Sequence, residues 1–459
     1  MKLTVLGGGG VRSPWLARSI MNLADDLGFT EICFMDNDRD KLRIFGGLAQ
    51  HIAEVIEPGI KFVLTTDARE ALTDARYIIT TLRVGGDHGR TLDESIALSH
   101  QVIGQETTGA GGFAMAMRSI PALFKYFELA REMAHPEHLI FNFTNPAGLV
   151  AQAAQYAGYD NVYGICDGPI GLFKQINTVL ETDMDHVDVT VYGLNHLSYF
   201  SSYKVDGEEM VPTILEDPRM REHTDLRMFD PQQLQDYGVL FNEYLYYFYS
   251  RDEALAHILE APRTRGETIE QINLRMMERM EGLDIEHDLD AIIEIFLDAY
   301  YEREDSYMSI ESGGFRDPLP RSKTFDYGTK GQDDGGYAGV ALGIIRGLES
   351  EEARQAIVNV PNSGALPGLR DDDVVEASCR VSRDGVIPRP IEAIPELQLR
   401  LIQTVKNYER LAAQAILDRD ANKAVLALSV HPLIQSYSLA KTLVREYQEA
   451  HREYIGEWS

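Results

Sequence analysis

Strand-like and helix-like segments alternate through the first third of the chain, and this rhythm restricts the fold more than any other feature. The apolar run Lys2 to Leu6 is followed by a helical pattern, Pro14 to Leu23, and by a second strand pattern, Glu31 to Met35. Further strand patterns lie at residues 62–65, 77–82, 138–143 and 162–165, with helical patterns between them. Because helices connect parallel strands, this alternation predicts a doubly wound parallel sheet.

The rhythm changes after about Asp188. Two strand patterns, residues 189–192 and 199–205, flank a short polar segment. The Gly-, Asp- and Pro-rich stretch 309–336 is expected to be a loop. Helical patterns dominate the rest, at residues 234–249, 269–280, 288–301, 337–348, 397–417, 425–428 with their flanks, and 433–451. We therefore predict an α/β domain over residues 1–190 and a mixed, mainly helical α+β domain over residues 191–459.

Composition narrows the class of partner. The 459 residues carry a formal net charge of −29, which repels nucleic acid and anionic membranes, so neither is expected as a partner. The apolar runs are too short to cross a bilayer, and the start of the sequence lacks the pattern of a signal peptide. Three scattered cysteines do not form a disulfide framework. A cytoplasmic enzyme is the simplest interpretation.

A run of four glycines, Gly7, Gly8, Gly9 and Gly10, follows the first strand and precedes a helix. Glycine there allows a tight turn and close approach to a pyrophosphate, whose charge the helix N-terminus stabilises. Asp36 ends the second strand, where a carboxylate accepts the ribose hydroxyls and favours NAD. Arg12 stands where the usual third glycine would be, and a tight turn without a ligand is the alternative. The pattern predicts a Rossmann-like NAD-binding domain.

Two residues with metal-binding side chains lie near strand ends. Cys166 follows the strand pattern at residues 162–165, and His196 lies in the polar segment between two later strands. A thiolate and an imidazole can share a divalent transition metal whose remaining positions accept substrate oxygens. A buried inert cysteine and a hydrogen-bonded core histidine are the alternative, and spacing alone favours it.

Other candidates for chemistry are scattered along the chain. Asn145 follows a strand and is either a turn residue or a ligand of sugar hydroxyls. The tyrosine-rich run at residues 244–249 indicates helix packing, unless one tyrosine serves as a base. Arg83, Arg90 and Arg265 suit a phosphate or carboxylate, or are surface residues.

Taken together, these segments resemble glycoside hydrolase family 4, the NAD- and metal-dependent glycosidases. The match follows chain order through nearly the whole sequence, and its features are most similar to the 6-phospho-β-glucosidase branch. The segments that carry the resemblance are Leu6 to Gly10, Arg83 to Gly86, Gly89 to Glu94, Ile103 to Phe113, Asn142 to Gly148, Gly164 to Asp167 and Tyr192 to Ser198.

The resemblance implies roles for single residues. Cys166 and His196 are expected to hold manganese or a similar divalent ion, and Tyr244 matches the family's base. Asp167 differs from the asparagine usual in the β branch and resembles the proton donor of the 6-phospho-α-glucosidase branch; Gly168 matches neither branch. The resemblance also implies that the phosphorylated sugar contacts a set of residues, Arg90, Asn145, Asp167 and Arg265.

The implied reaction is redox-assisted cleavage of a phosphorylated disaccharide or other 6-phosphoglycoside. Oxidation at sugar C3 acidifies the C2 proton, the base removes it, the C1–O bond breaks by elimination, water adds and the sugar is reduced again. A 6-phospho-α-glucosidase and a glycosidase of non-phosphorylated sugars are alternatives within the family. An NAD-dependent hydroxy-acid dehydrogenase and a non-catalytic NAD-binding sensor are alternatives of other classes. By resemblance the assembly is expected to be a homodimer or homotetramer.

Overall fold

A single mixed sheet runs through the protein. The computed structural model describes residues 1–314, 321–332 and 338–459. Within them the sheet has 13 strands. The strands are β1 Lys2–Leu6, β2 Glu31–Met35, β3 Lys61–Thr65, β4 Tyr77–Thr80, β5 Leu139–Asn142, β6 Val162–Gly164, β7 Val187–Leu194, β8 Leu197–Val205, β9 Glu208–Glu209, β10 Leu240–Phe241, β11 Arg354–Pro361, β12 Val374–Ser382 and β13 Gly385–Pro388.

The first six strands form the parallel half of the sheet in the spatial order β3-β2-β1-β4-β5-β6. The central strands are apolar and buried along nearly their whole length, because helices cover both faces of a parallel sheet. The order reverses beside β1, between β1 and β4, which is where ligands bind in such sheets. The predicted doubly wound, Rossmann-like sheet is confirmed.

The antiparallel half continues the same sheet in the order β6-β11-β12-β7-β8-β10. Strand β11 pairs with β6 at Asn359 and Gly164, and β12 pairs with β7 at residues 376–377. Thus β11, β12 and β13, which come late in the chain, lie between strands from its first half or beside them. The predicted mixed, mainly helical α+β character of this region holds, but the sequence analysis placed only helices and a loop after residue 205 and missed these three strands. Pairing partners that are distant in sequence leave no local signal.

Helices pack on both sides of this sheet. They are α1 Ser13–Leu23, α2 Arg39–Lys41, α3 Gly47–Ile56, α4 Ala68–Leu72, α5 Gly86–Ser99, α6 Gly109–Met133, α7 Ala147–Tyr156, α8 Gly168–Leu180, α9 Val211–Glu216, α10 Pro218–His223, α11 Pro231–Tyr237, α12 Tyr246–Tyr249, α13 Arg251–Glu260, α14 Arg265–Met280, α15 Ile285–Asp305, α16 Gly339–Glu349, α17 Glu396–Asp418, α18 Ala421–Val430, α19 Tyr437–Ala450 and α20 Arg452–Ile455. A π-helical turn, Leu42–Gly46, lies between α2 and α3, and 3₁₀ turns occupy Met184–His186, Asp225–Met228 and Glu243–Leu245.

The prediction of one long helix over residues 234–249 is wrong. Helix α11 ends at Tyr237, where Gly238 adopts a left-handed conformation with φ 64°. Strand β10 follows, and the side chain of Asn242 then caps the 3₁₀ turn by accepting from the Tyr244 amide. A glycine stop and a polar cap interrupt the apolar pattern. Tyr244 consequently lies in a turn at the end of a strand.

Two further expectations concern the middle and the ends of the chain. The predicted loop 309–336 falls partly outside the described residues, and the start predicted for the next helix, Tyr337, lies outside them. The division near residue 190 stays a prediction, and the sheet itself contains strands from both sides of it. Among the described residues, no helix is long and apolar enough to cross a membrane.

Candidate active site

A cavity of about 800 Å³ opens along the carboxyl ends of the parallel strands. It collects residues from both halves of the chain, because the turns after β1, β2, β5 and β6 and the segments around β7, β10 and α14 all reach its walls. Gly8 instead packs against Phe34 of β2, where a Cβ atom would lie 2.6 Å from the Phe34 Cβ. The other predicted site residues line the cavity: Gly7, Gly9, Gly10, Asp36, Arg83, Arg90, Asn145, Cys166, Asp167, His196, Tyr244 and Arg265.

The glycine turn at one end of the cavity is held against β2. The Gly9 amide donates to Asp36 Oδ2 at 3.0 Å, and the Asp38 amide donates to Asp36 Oδ1 at 2.9 Å. Gly7 has φ 97°, which favours glycine, and a Cβ atom there would lie 2.7 Å from Thr81 Oγ1. The turn and Asp36 therefore form one rigid unit at the start of α1.

Cys166 and His196 come together in spite of the 30 residues between them. Cys166 follows β6, and His196 occupies the tight turn between β7 and β8, where its φ is 62°. The Sγ and Nε2 atoms are 3.3 Å apart. On its other side, His196 Nδ1 lies 2.7 Å from the Thr107 hydroxyl, so this contact directs Nε2 toward the thiol.

This pair fits a divalent transition metal. Burial lowers the pKa of His196 to about 3, which keeps the imidazole neutral and able to ligate. Burial, together with the charges of Glu376 and Asp167, raises the pKa of the Cys166 thiol well above its usual value. Two such ligands of one ion, at about 2.3 and 2.1 Å from it, are separated by about 3.1–3.6 Å. The observed separation agrees, and a bound cation would favour the thiolate.

Tyr244 lies directly on this pair. Its ring stacks on the His196 ring with centroids 3.7 Å apart and planes 3° from parallel. Its hydroxyl lies 3.0 Å from the Tyr307 hydroxyl, which donates to Glu243 Oε1 at 3.2 Å. Burial, and next the charge of Glu243, raise the pKa of Tyr244 well above its usual value. Tyr244 is thus held rigidly beside the two candidate ligands.

Glu243 and Tyr307 are candidate functional residues that the sequence analysis missed. Burial, followed by the charge of Asp225, raises the pKa of Glu243 to about 8, so this carboxyl group carries a proton at neutral pH. Asp167 has a different environment, with half its side chain exposed and Arg12 Nη1 at 3.3 Å. No local motif marks Tyr307, since only the fold carries the end of α15 to the cavity.

Arginines from the predicted motifs gather around Glu106. Arg83 Nη1 and Arg90 Nη1 both pair with Glu106 Oε2, and Arg90 Nε pairs with Glu94 Oε1 at 2.8 Å. Burial opposes ionisation of Glu106, yet the charges of Arg83 and Arg90 hold its pKa well below its usual value. Glu106 was not predicted as a site residue, although it lies within the segment Ile103 to Phe113 that carries the resemblance.

Comparison with known proteins matches the sequence of this chain to one family. Residues 2–182 match the family model described as family 4 glycosyl hydrolase, and residues 191–434 match the model of the family 4 C-terminal domain. A Bacillus subtilis (strain 168) protein named probable 6-phospho-beta-glucosidase is 29% identical over 464 residues, covering 99% of this chain and 97% of the relative. The Thermotoga maritima 6-phospho-beta-glucosidase is 29% identical over 457 residues, covering 99% of each chain.

Solved structures similar to this chain include the same kind of protein as the sequence relatives. The T. maritima 6-phospho-beta glucosidase with manganese, NAD+ and glucose-6-phosphate has a TM-score of 0.81 and 27% identity, with complete coverage (100%) of both chains. Relatives named as α-glucosidases are found as well. One, a phospho-alpha-glucosidase of Clostridium acetobutylicum, is 26% identical over 476 residues, covering 99% of this chain and 98% of the relative.

Proposed function

Because the chain belongs to glycosyl hydrolase family 4, it is a glycoside hydrolase, and we propose that it cleaves 6-phospho-β-glucosides with NAD+ and a divalent cation such as Mn²⁺. One observation carries this proposal. Tyr244 stacks on His196, which lies 3.3 Å from the Cys166 thiol, within a cavity that also contains the glycine turn and the arginines. A simple hydrolase needs neither the glycine turn nor the thiol–imidazole pair, and a simple dehydrogenase needs no buried tyrosine base.

We assign the cofactors to the residues that fit them. The glycine turn and Asp36 would hold the dinucleotide, and Cys166 and His196 would hold the cation. When bound, NAD+ supplies reversible oxidation of a sugar hydroxyl, and the cation polarises sugar oxygens and lowers the pKa of neighbouring acids.

The protein's own side chains then manage protons. Tyr244 Oη is proposed to remove the proton at sugar C2, with Tyr307 orienting it through the 3.0 Å contact between the two hydroxyls. Asp167 is proposed to protonate the leaving oxygen. For this, its contact with Arg12 must be broken and its carboxylate must take up a proton. Glu243, whose pKa is about 8, is the second candidate donor, because it already carries a proton at neutral pH.

A 6-phospho-α-glucosidase is the second candidate function. The observation that favours it is Asp167, which stands where the β branch usually has asparagine and where the α branch has its proton donor. We also propose, from sequence and resemblance, the two-domain division near residue 190, a homodimer or homotetramer, and a cytoplasmic location.

The test is a panel of nitrophenyl glucosides, α and β, with and without a 6-phosphate, assayed with NAD+ and Mn²⁺. We expect the 6-phospho-β-glucoside to be cleaved fastest, cleavage to stop when EDTA removes the cation, and no NADH to accumulate at steady state. Tyr244→Phe should lower kcat by about 10²-fold or more, the usual size of a general-base contribution. Steady growth of NADH would instead indicate a dehydrogenase, and equal rates with Tyr244→Phe would remove the base assignment.

A further inference from the structure

Five arginines line the cavity. Arg12 contacts Asp167 and Glu304, and the other four fall into two pairs with different surroundings. Arg83 and Arg90 are bound by carboxylates, as described above, through Glu106 and Glu94. Their charges are therefore largely balanced before any substrate arrives.

Arg265 and Arg303 form the second pair. Arg265 begins α14, and its guanidinium donates to the Ser306 hydroxyl and to the Arg303 carbonyl oxygen. Arg303 lies near the end of α15, and its Nη1 donates to Asn273 Oδ1 at 2.8 Å. Within residues 1–314, 321–332 and 338–459, no carboxylate oxygen is paired with either guanidinium inside 4.0 Å. Both side chains line the cavity.

Burial and neighbouring arginines disfavour the protonated form of both groups in this second pair. Burial, and then the charge of Arg90, lower the pKa of Arg265 to about 10, although the charges of Glu311, Glu304 and Glu106 oppose them. Burial, and then the charges of Arg12 and Arg83, act against the protonated Arg303 and lower its pKa to about 10, although Asp87 opposes them. Two buried cationic groups that are paired with no carboxylate of the described residues favour binding of an anion from solution.

The contacts of Arg303 also orient it. Asn273 Nδ2 donates to Asp87 Oδ2 at 2.6 Å while its Oδ1 accepts from Arg303, so α5, α14 and α15 are linked at this point. One guanidinium nitrogen is thereby fixed to the protein scaffold. Among the described residues Nη2 of Arg303 makes no hydrogen bond, so it can donate to the oxygens of a phosphate. A purely structural role would not need this group to face the cavity.

We infer that Arg303 is a specificity-determining residue that, together with Arg265, binds the phosphate group of the sugar. This inference rests on the proposed function and extends its substrate site to a helix, α15, that carries no segment of the family resemblance. The phosphate accepts from Arg303 and Arg265 while the ion pairs of Arg83 and Arg90 stay intact, so docking needs no existing pair to break.

The inference is tested by calorimetric titration of D-glucose 6-phosphate and of D-glucose into the enzyme loaded with NAD+ and Mn²⁺. Arg303→Met should weaken glucose 6-phosphate binding at least about tenfold, because a charge-assisted contact is lost. Glucose binding should stay within about twofold. In turnover the variant should raise KM for the phosphorylated glycoside and leave kcat nearly unchanged, since the phosphate is remote from the reacting atoms.

Arg275→Met is the matched control. Arg275 lies on α14, pairs with Glu302 of α15 at 2.6 Å and is about half exposed, so the variant removes the same charge from the same helix pair outside the cavity. We expect it to bind both sugars as the wild type does. Arg303→Lys retains the charge and is expected to restore part of the affinity; it also serves if the methionine variant does not fold.

These measurements distinguish failure of the proposed function from failure of the inference about Arg303. If wild type binds glucose as tightly as glucose 6-phosphate, the phosphorylated substrate of the proposed function is wrong. If wild type prefers glucose 6-phosphate but folded Arg303→Met and Arg303→Lys retain that preference within about twofold, Arg303 has only a structural role and the inference is overturned.

Discussion

His196 shows how a single residue is constrained for one task. Its φ of 62° is rare for a residue with a side chain and costs about 1 kcal/mol or more. Two contacts hold its ring: the Thr107 hydroxyl at Nδ1 and the stacked Tyr244 ring. The preceding residue is held as well, because the side-chain amide of Asn195 donates to Glu376 at 3.1 Å. The conformation points Nε2 at the Cys166 thiol, so the strain serves the candidate metal site.

His431 leads to a prediction about acid stability. It is completely buried, and burial lowers its pKa to about 3. Below about pH 6.5 the unfolded chain therefore binds a proton that the folded protein refuses, and the free energy of unfolding falls as the pH falls. The Leu433 amide donates to His431 Nδ1, an acceptor that asparagine can imitate. Between about pH 7 and pH 5, wild type should lose about 2 kcal/mol more than His431→Asn.

Urea unfolding at the two pH values measures this difference. The exposed His223 provides the control, because His223→Asn changes a side chain that contacts water in both states. Equal losses in wild type and His431→Asn would show that His431 does not carry the effect.

At the scale of elements, the start of α6 supports the His196 turn. Gly111 lies in the first turn of this helix, and a Cβ atom there would lie 2.5 Å from the Gln105 carbonyl oxygen. The Gln105 side chain in turn accepts from the amide and hydroxyl of Thr107, the residue that contacts His196. The close approach of α6 to the 104–108 turn thus positions a candidate metal ligand.

Two glycine-to-alanine substitutions test this packing. Gly111→Ala should lower the free energy of unfolding by about 1–3 kcal/mol, because backbone must move to admit the methyl group. Gly343→Ala in α16 is the matched control, since no atom of the described residues, apart from the adjacent backbone of its own helix, lies within 4 Å of its Cβ position. There alanine should raise the free energy of unfolding by about 0.5–1 kcal/mol through its higher helix propensity. Equal changes in chemical denaturation midpoints would contradict the close-packing argument.

At the scale of the whole molecule, the sheet fixes the relative position of distant site residues, and the net charge affects how an anionic substrate approaches. Strands β11 and β12 join the parallel half to β7 and β8, so Cys166 after β6 and His196 after β7 are fixed relative to each other by one sheet. The net charge of −29 creates a field that opposes any anionic substrate, while arginines inside the cavity attract it.

This opposition predicts an unusual salt response. Added salt screens the long-range repulsion, whose range is about 8 Å at physiological ionic strength, more than it screens contacts inside the cavity. We expect KM for a 6-phosphoglucoside to fall as NaCl is raised moderately, with KM for the unphosphorylated glucoside unchanged. A KM for the phosphorylated substrate that rises with salt would mean that the attraction of the arginines already dominates at long range.

Local patterns in the sequence determined the parallel half of the fold. Apolar strands, helical periodicity and the glycine turn act between residues close in the chain, so β1 to β6 and the turn before α1 were predictable. Cys166, His196, the tyrosine-rich run and the arginines were candidates from residue type and position, and the resemblance favoured functional roles for them over structural ones. Cys166, His196, Tyr244 and these arginines all line the cavity, and their roles stay predictions.

Only the tertiary structure decided what depends on distant contacts. The insertion of β11 and β12 beside β6 joins residues 195 positions apart, as at Asn359 and Gly164, and no local pattern encodes that pairing. No local pattern marks Arg303 and Tyr307 either, because they lie in a charged stretch at the end of α15. Only the fold places them at the cavity. Burial and neighbouring charge, which set the pKa of Glu243 and of Arg303, exist only once the chain has folded.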